Sequence, residues 1–185
     1  MKRAALKVAA IAFVTMFNAA PAAAQLVRTF ISANGNDAYN CSRTAPCRTL
    51  QTAHNNTTAG GEINMLDPGG YGRVVIQKSI SIVNDGVGSS GILVPASSIG
   101  IRIIAGASDK IHLRGLIIEG GGIGEYGIVF ESGKSMSIEN SVIRNMTITG
   151  IAFVPTMNAN LFVSNTLVTA MAATVLWSNH SALLS

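Results

Sequence analysis

The chain has 185 residues, of which 13 are Lys or Arg and 9 are Asp or Glu. Three of the basic residues, Lys2, Arg3 and Lys7, lie in a predicted leader, so ten basic residues face nine acidic ones in the rest of the chain. This near balance excludes the strongly basic surface of a nucleic-acid-binding protein. The 161 residues that follow the leader (25–185) suffice for one domain with a hydrophobic core, and none of their apolar stretches is long enough to span a membrane.

The N-terminus has the pattern of a bacterial-type secretory signal peptide. Its basic start is followed by ten uncharged residues, 8–17, and then by Pro-Ala-Ala-Ala at 21–24. These three regions in this order mark a cleavable export signal, and the apolar run is shorter than the ~20 residues of a membrane-spanning helix. We predict cleavage after Ala24 and a secreted or periplasmic product. The alternative is a buried N-terminal helix.

The two cysteines lie six residues apart around a proline-containing turn. In an exported protein such a pair favours a disulfide, here between Cys41 and Cys47. No other cysteine or histidine has the spacing of a metal ligand, so we predict no metal site.

Only one segment has helical periodicity. Leu50, Ala53 and His54 share one face of a helix predicted over 46–58, and two glycines at 60–61 end it. Residues 25–61 are therefore assigned to an N-terminal strand, the cysteine loop and this helix. The rest consists of short alternating apolar segments separated by Gly, Asn and Ser, which is typical of strands.

The strand segments repeat at a nearly fixed period. Residues 111–118, 136–143 and 161–168 share one pattern at a spacing of 25, and a Gly-Ile-x-apolar motif recurs at 100–103, 127–130 and 150–153 with spacings of 27 and 23. A period of this length built from strands indicates a solenoid whose stacked coils share one core. We predict coils of about 23–27 residues over 62–169. The inward residues of this pattern are Ile111, Leu113, Ile138 and Val163.

One turn position recurs in the repeat and is occupied by Gly115, Asn140 and Asn165. Glycine and asparagine tolerate a left-handed backbone, which a tight bend between strands requires. Stacked asparagines can also hydrogen-bond along the axis. The alternative is that these asparagines contact a ligand.

Several segments, 29–37, 46–53, 60–63 and 67–72, resemble the start of right-handed parallel β-helix repeat proteins of the pectin-lyase-like superfamily, and 78–82 resembles the strand of a first full coil. The resemblance covers residues 28–169. It implies an all-β, right-handed parallel β-helix in which the N-terminal helix caps the open end. The superfamily contains lyases, hydrolases and non-catalytic proteins, so it does not decide the activity.

The repeat predicts which outward side chains lie side by side in neighbouring coils. The columns are His112, Ser137 and Phe162; Arg114, Glu139 and Ser164; and Glu119, Arg144 and Thr169. The catalytic candidates are Arg114, Glu139 and His112. Arg114 would act as a base beside the acid Glu139, with His112 near them. The alternative is that Arg114–Glu139 and Glu119–Arg144 are exposed ion pairs between coils, each contributing at most ~1 kcal/mol.

Residues 122–127 match the glycine pattern of dinucleotide-binding proteins. That pattern requires a helix to follow, whereas residues 127–130 have the pattern of a strand, so we predict no cofactor-binding site. A Ca²⁺ ion would be expected only if the chain were a lyase.

Three functional hypotheses follow. The first is an exported, non-catalytic β-helix that binds extracellular polysaccharide. The second is a polysaccharide lyase or glycoside hydrolase, for which the few acidic residues offer neither a paired carboxylate within a column nor a cluster of three acids on one face. The third is a truncated family member without function.

The third hypothesis rests on residues 170–185, which break the repeat. A reading frame shifted by two bases would restore a Gly-Ile-x-apolar motif there, so we predict a frameshifted tail. An apolar tail in place of a polar cap leads us to expect loose packing after about residue 170 and self-association through the open C-terminal coil.

Overall fold

The structure, a computed structural model, describes residues 25–170 and 172–177. The predicted signal peptide lies outside the described residues, as does the end of the predicted aberrant tail, 178–185. The elements in chain order are β1 (Leu26–Ile31), α1 (Leu50–Asn56), β2 (Thr57–Met65), β3 (Gly69–Gly70), β4 (Val74–Ile76), β5 (Ile80–Val83), β6 (Ser90–Leu93), β7 (Ile99–Ile104), β8 (Lys110–Arg114), β9 (Ile117–Glu119), β10 (Tyr126–Ser132), β11 (Ser135–Glu139), β12 (Val142–Met146), β13 (Thr149–Phe153), β14 (Asn160–Ser164), β15 (Leu167–Ala170) and β16 (Ala173–Trp177).

The strands form three parallel sheets, to which each coil contributes one strand. Sheet I has the order β1-β2-β5-β8-β11-β14, sheet II has the order β3-β6-β9-β12-β15, and sheet III has the order β4-β7-β10-β13-β16. The chain passes through sheets I, II and III in turn and then starts the next coil. The result is a parallel β-solenoid of about four turns, which confirms the predicted fold class.

The predicted repeat register is confirmed strand by strand. Residues 111, 136 and 161 are Cα partners in sheet I, and residues 101, 128 and 151 are partners in sheet III. Residues 117, 142 and 167 are Cα partners in sheet II. A period of 25 residues therefore corresponds to one complete coil.

The core lies inside the three sheets, where alternate residues of every strand point. Ile111, Leu113 and Ile138 are at most 2% exposed, as predicted. Val163 is only partly buried, because β14 has no further strand packed on it among the described residues. Within the core the rings of Phe130 and Phe153 stack with centroids 4.8 Å apart.

The turn between sheets I and II has the predicted left-handed residues. Gly115, Asn140 and Asn165 have φ values of 72°, 50° and 43°, and Asn165 Nδ2 donates to Asn140 Oδ1 at 2.7 Å. Glycine is required at 115 because a Cβ there would meet the carbonyl group of Asn84 in the preceding coil. The side-chain nitrogen Nδ2 of Asn84 in turn donates a hydrogen bond to the main-chain oxygen of Gly115 at 2.9 Å. A recurring turn thus accounts for these asparagines without a ligand.

Helix α1 caps the N-terminal end of the solenoid, and it is shorter than the predicted 46–58. It begins after Thr49, whose hydroxyl accepts a hydrogen bond from Thr52 N. Its side chains take the place of a strand beside β4: Gln51 Oε1 accepts from Val75 N at 2.8 Å, and His54 Nε2 accepts from Gln77 N at 3.3 Å. Burial lowers the pKa of His54, which favours the neutral ring that this bond needs.

The predicted disulfide partners lie together. The sulfur atoms of Cys41 and Cys47 are at bonding distance, their Cα atoms are 4.6 Å apart, and both residues are fully buried beside β1. The link closes the loop that precedes α1.

The first part of the tail, which is expected to pack loosely after about residue 170, contains a strand. Residues 173–177 form β16, which pairs with β13 so that Ile151 faces Val175. Sheet III continues into β16 although this segment lacks the glycine that begins the Gly-Ile-x-apolar motif in the preceding coils. Its alternation of apolar residues is enough to form a strand. The origin of the tail and the self-association expected from it remain predictions.

Candidate functional site

The predicted column on sheet I places a histidine beside a serine. His112, Ser137 and Phe162 are register partners, and His112 Nδ1 and Ser137 Oγ are 2.8 Å apart in a hydrogen bond. They line a cavity of about 480 Å³, the sheet I groove, which is bounded by Gly60, Ser79, Ile80, Ser81, Lys110, Ile111, His112, Ser135, Ser137 and Phe162. Phe162 is 44% exposed, although it is a large apolar side chain.

The second predicted column brings the arginine and the acid into register but does not pair them. Arg114 and Glu139 are Cα partners, as predicted. The guanidinium of Arg114 forms its ion pair with Asp85 of the preceding coil instead. Asp85 comes within reach because Asn84 N bonds to the Arg114 carbonyl at 2.9 Å, which draws the turn after β5 against β8. The predicted Arg114–Glu139 ion pair is therefore wrong, and the Glu139 carboxylate makes no hydrogen bond within the described part of the chain.

The third predicted column forms its ion pair. Arg144 Nε and Glu119 Oε2 are 2.7 Å apart, and Glu119 also accepts hydrogen bonds from Gly121 N and Asn145 Nδ2. Burial raises the pKa of Glu119, but these hydrogen bonds outweigh it and hold the pKa below its usual value. The column does not extend to Thr169, because an irregularity in β12 places Met146 opposite Ala170. Glu119 thus acts as an acceptor that fixes one turn.

A cavity larger than the sheet I groove lies elsewhere, on the outer side of sheet III. This sheet III groove measures about 710 Å³ and is lined by Thr49, Gln51, Gly72, Arg73, Val74, Val75, Ser97, Ser98, Ile99, Arg102, Glu125 and Tyr126. Its walls are the turns that precede β4, β7 and β10, so three successive coils contribute to it. Helix α1 closes one end through Gln51.

Backbone hydrogen bonds fix the turns that carry the functional groups of this groove. Ser98 O accepts from the main-chain nitrogens of Glu125 and Tyr126 at 3.1 and 3.2 Å, and Ser97 N donates to Ile123 O at 3.1 Å. The side chains of Arg73, Glu125 and Tyr126 make no hydrogen bond or ion pair to any described residue. Backbone hydrogen bonds therefore hold in place three polar side chains that have no partner among the described residues, and one of them is aromatic.

A second arginine in the groove is already paired. Arg102 Nε and Nη2 donate to the two carboxylate oxygens of Glu131 at 2.7 and 3.0 Å. Hydrogen bonding to Arg102 holds the pKa of Glu131 below its usual value. The remaining nitrogen, Nη1, makes no hydrogen bond to a described residue.

The sequence did not identify this groove. Arg73 and Glu125 lie in turns of unequal length, and Tyr126 is the first residue of β10, so all three fall outside the repeated motifs. Glu125 and Tyr126 belong to the glycine-rich segment 122–127, which runs from a turn into β10 and not into a helix, as predicted. The only sequence signal was the unusual glycine content of that turn.

The described residues bring no three His, Cys, Asp or Glu side chains together at one place. None of their helices is both long and apolar enough to cross a bilayer. Comparison of the chain with models of known protein families, with curated proteins and with solved structures finds no match.

Proposed function

We propose that this chain is an exported, non-catalytic β-solenoid that binds an extracellular polysaccharide in the sheet III groove. The observation that carries the proposal is the set Arg73, Glu125 and Tyr126, whose side chains have no partner among the described residues, on the wall of this cavity of about 710 Å³. Export rests on the signal-peptide pattern of residues 1–24.

The chemistry of the groove suits a sugar chain. The half-buried ring of Tyr126 gives an apolar surface on which a pyranose can lie, and a guanidinium and a carboxylate supply donors and acceptors for neighbouring hydroxyl groups. Because the groove runs across three coils, successive sugar units can contact successive turns. Its frame is held by backbone bonds, so binding requires little ordering of the protein.

The small number of carboxylates in the groove favours binding of a polysaccharide over its cleavage. A glycoside hydrolase needs two carboxylates across the scissile bond. Among the lining residues Glu125 is the one carboxylate, and both carboxylate oxygens of the nearby Glu131 accept hydrogen bonds from Arg102. The alternative, a polysaccharide lyase or hydrolase, therefore lacks a second acid in this groove.

We also propose that the chain is related to the pectin-lyase-like superfamily. The stacked Asn140 and Asn165 at the turn and the capping position of α1 support this relationship.

The binding test uses the purified protein with pectin, alginate and glucan, measured by calorimetry with and without Ca²⁺. Tyr126→Ala should weaken the affinity for the bound polysaccharide about tenfold, since an aromatic contact contributes roughly 1 kcal/mol beyond its buried area. Arg73→Gln should weaken it by a similar factor. Tyr39→Ala is the matched control, because Tyr39 is 49% exposed and lies outside the groove.

Two outcomes contradict the proposal. One is equal weakening by Tyr39→Ala and Tyr126→Ala, which would remove the groove as the binding surface. The other is the release of reducing ends or unsaturated products during the same incubations, which would make the chain an enzyme.

A further inference from the structure

The sheet I groove differs in charge from the sheet III groove. Its ionisable lining residues are Lys110 and His112, and none of its lining residues is acidic. Asp109, which precedes Lys110, is not part of the lining; its carboxylate accepts hydrogen bonds from Ser79 Oγ at 2.7 Å and Gly106 N at 2.8 Å. The lining of the groove therefore carries basic groups and no carboxylate, and the adjacent Asp109 carboxylate is already bonded to Ser79 and Gly106.

The register of β8 and β11 arranges four polar side chains as the corners of a rectangle. Lys110 pairs with Ser135, and His112 pairs with Ser137. Residues two apart on a strand point to the same side about 7 Å apart, and paired residues lie about 4.8 Å apart. The rectangle can surround a single small anion.

The types of donor indicate the shape of that anion. A planar carboxylate is matched by the fork of an arginine, and the lining of this groove contains no arginine. The Lys110 ammonium, the Ser135 hydroxyl and the His112–Ser137 pair approach from separate directions, which suits an anion with oxygens on several sides. The hydrogen bond between His112 Nδ1 and Ser137 Oγ uses one polar hydrogen of this pair, so the neutral pair offers the ligand one further hydrogen, from His112 Nε2 or from Ser137 Oγ.

We propose that the sheet I groove binds a tetrahedral oxyanion ester, a sulfate or phosphate group carried on a sugar chain. Phe162 follows Ser137 in the same column, two strand spacings or about 10 Å from His112. Its exposed ring contacts the sugar units that follow the charged one. The site lies on a different sheet from the polysaccharide groove and does not depend on it.

The experiment compares dextran oligosaccharides of one length that are sulfated, phosphorylated, carboxymethylated or unmodified, with calorimetry at 150 mM NaCl. We expect the sulfated or the phosphorylated chain to bind at least tenfold more tightly than the carboxymethylated and unmodified chains. Whichever of the two esters binds more tightly identifies the source of the anion.

The matched pair of variants is Lys110→Gln and Lys134→Gln. Each removes one lysine charge, but Lys134 lies outside the lining. Lys110→Gln should weaken binding of the ester about tenfold, as expected for a charge-assisted hydrogen bond, whereas Lys134→Gln should change it less than twofold. Phe162→Ser should weaken binding of the oligosaccharide and leave binding of the free sulfate or phosphate ion unchanged.

Three results would overturn the proposal: equal affinity for all four dextrans, equal effects of the two lysine variants, or no binding of either ester. Circular dichroism of each variant verifies that the strands are retained. Because both lysines are exposed, the substitutions leave the core unchanged.

Discussion

Replacing Ile138 by alanine should lower the free energy of unfolding by about 2–5 kcal/mol, the usual cost of removing a large aliphatic side chain from a packed core. Ile138 is 1% exposed and lies in β11, with Leu113 and Val163 as its partners on either side. The cavity would lie in the middle of the stack, where backbone bonds to both neighbouring strands limit the collapse that could fill it. Urea denaturation followed by circular dichroism measures the change.

The matched control for this substitution is Ile123→Ala. Ile123 is 57% exposed in the turn before β10, so the same atoms are removed without a buried cavity. Its effect should stay within about 0.5 kcal/mol, which is typical of surface positions. Similar losses from both variants would show that Ile138 is not in the core, and the assignment of the inward face of sheet I would be wrong.

Replacing Asp67 by alanine should cost about 2 kcal/mol, because the Ser32 hydroxyl and the Ala33 main-chain N–H lose their acceptor at once, whereas the Tyr71 hydroxyl keeps a second acceptor in the main-chain oxygen of residue 67. The Asp67 carboxylate accepts hydrogen bonds from Ser32 Oγ at 2.5 Å, Ala33 N at 2.7 Å and Tyr71 OH at 2.5 Å. Tyr71 is fully buried and Ser32 is 6% exposed, so water cannot readily replace the carboxylate. These bonds tie the end of β1 to the first coil.

The same carboxylate should make stability depend on pH. Burial raises the pKa of Asp67, but its bonds to Ser32, Tyr71 and Ala33 outweigh that effect and lower the pKa below the usual value. The folded protein then binds fewer protons than the unfolded chain below the ordinary aspartate value of about 4. The contribution is complete above that value and is lost as the pH falls through the folded-state pKa.

Urea denaturation between pH 7 and pH 2.5 tests both statements. The Asp67→Ala variant should lose less stability than the parent protein as the pH falls below about 4. Asp85→Ala is the control, since Asp85 pairs with Arg114 on the exposed surface and such pairs contribute roughly 0–1 kcal/mol. Parallel pH profiles for the parent and Asp67→Ala would refute the role assigned to this carboxylate.

Much of the fold followed from the sequence because a solenoid is built from local, repeated rules. Alternation along each segment identifies the inward residues, and the 25-residue spacing places residues such as Ile111, Met136 and Leu161 next to one another. Asn140 and Asn165 mark the bend because few other residues accept a left-handed backbone. The sequence located the helix correctly but not its two ends. The position of the helix depends on hydrogen bonds from Val75 N to Gln51 and from Gln77 N to His54, which form only when the chain has folded.

The partners of outward side chains were decided by the tertiary structure. The register of Arg114 with Glu139 was predictable, but the ion pair goes to Asp85, because the path of an irregular turn determines which carboxylate comes within reach. Likewise, Arg73, Glu125 and Tyr126 meet in one groove only after three turns of unequal length have stacked. The sequence by itself determined the period, the inward face and the bends of this protein, because these are properties of neighbouring residues in a repeat. Its grooves and charge partners depend on turns outside the repeat, whose positions are determined by packing between coils.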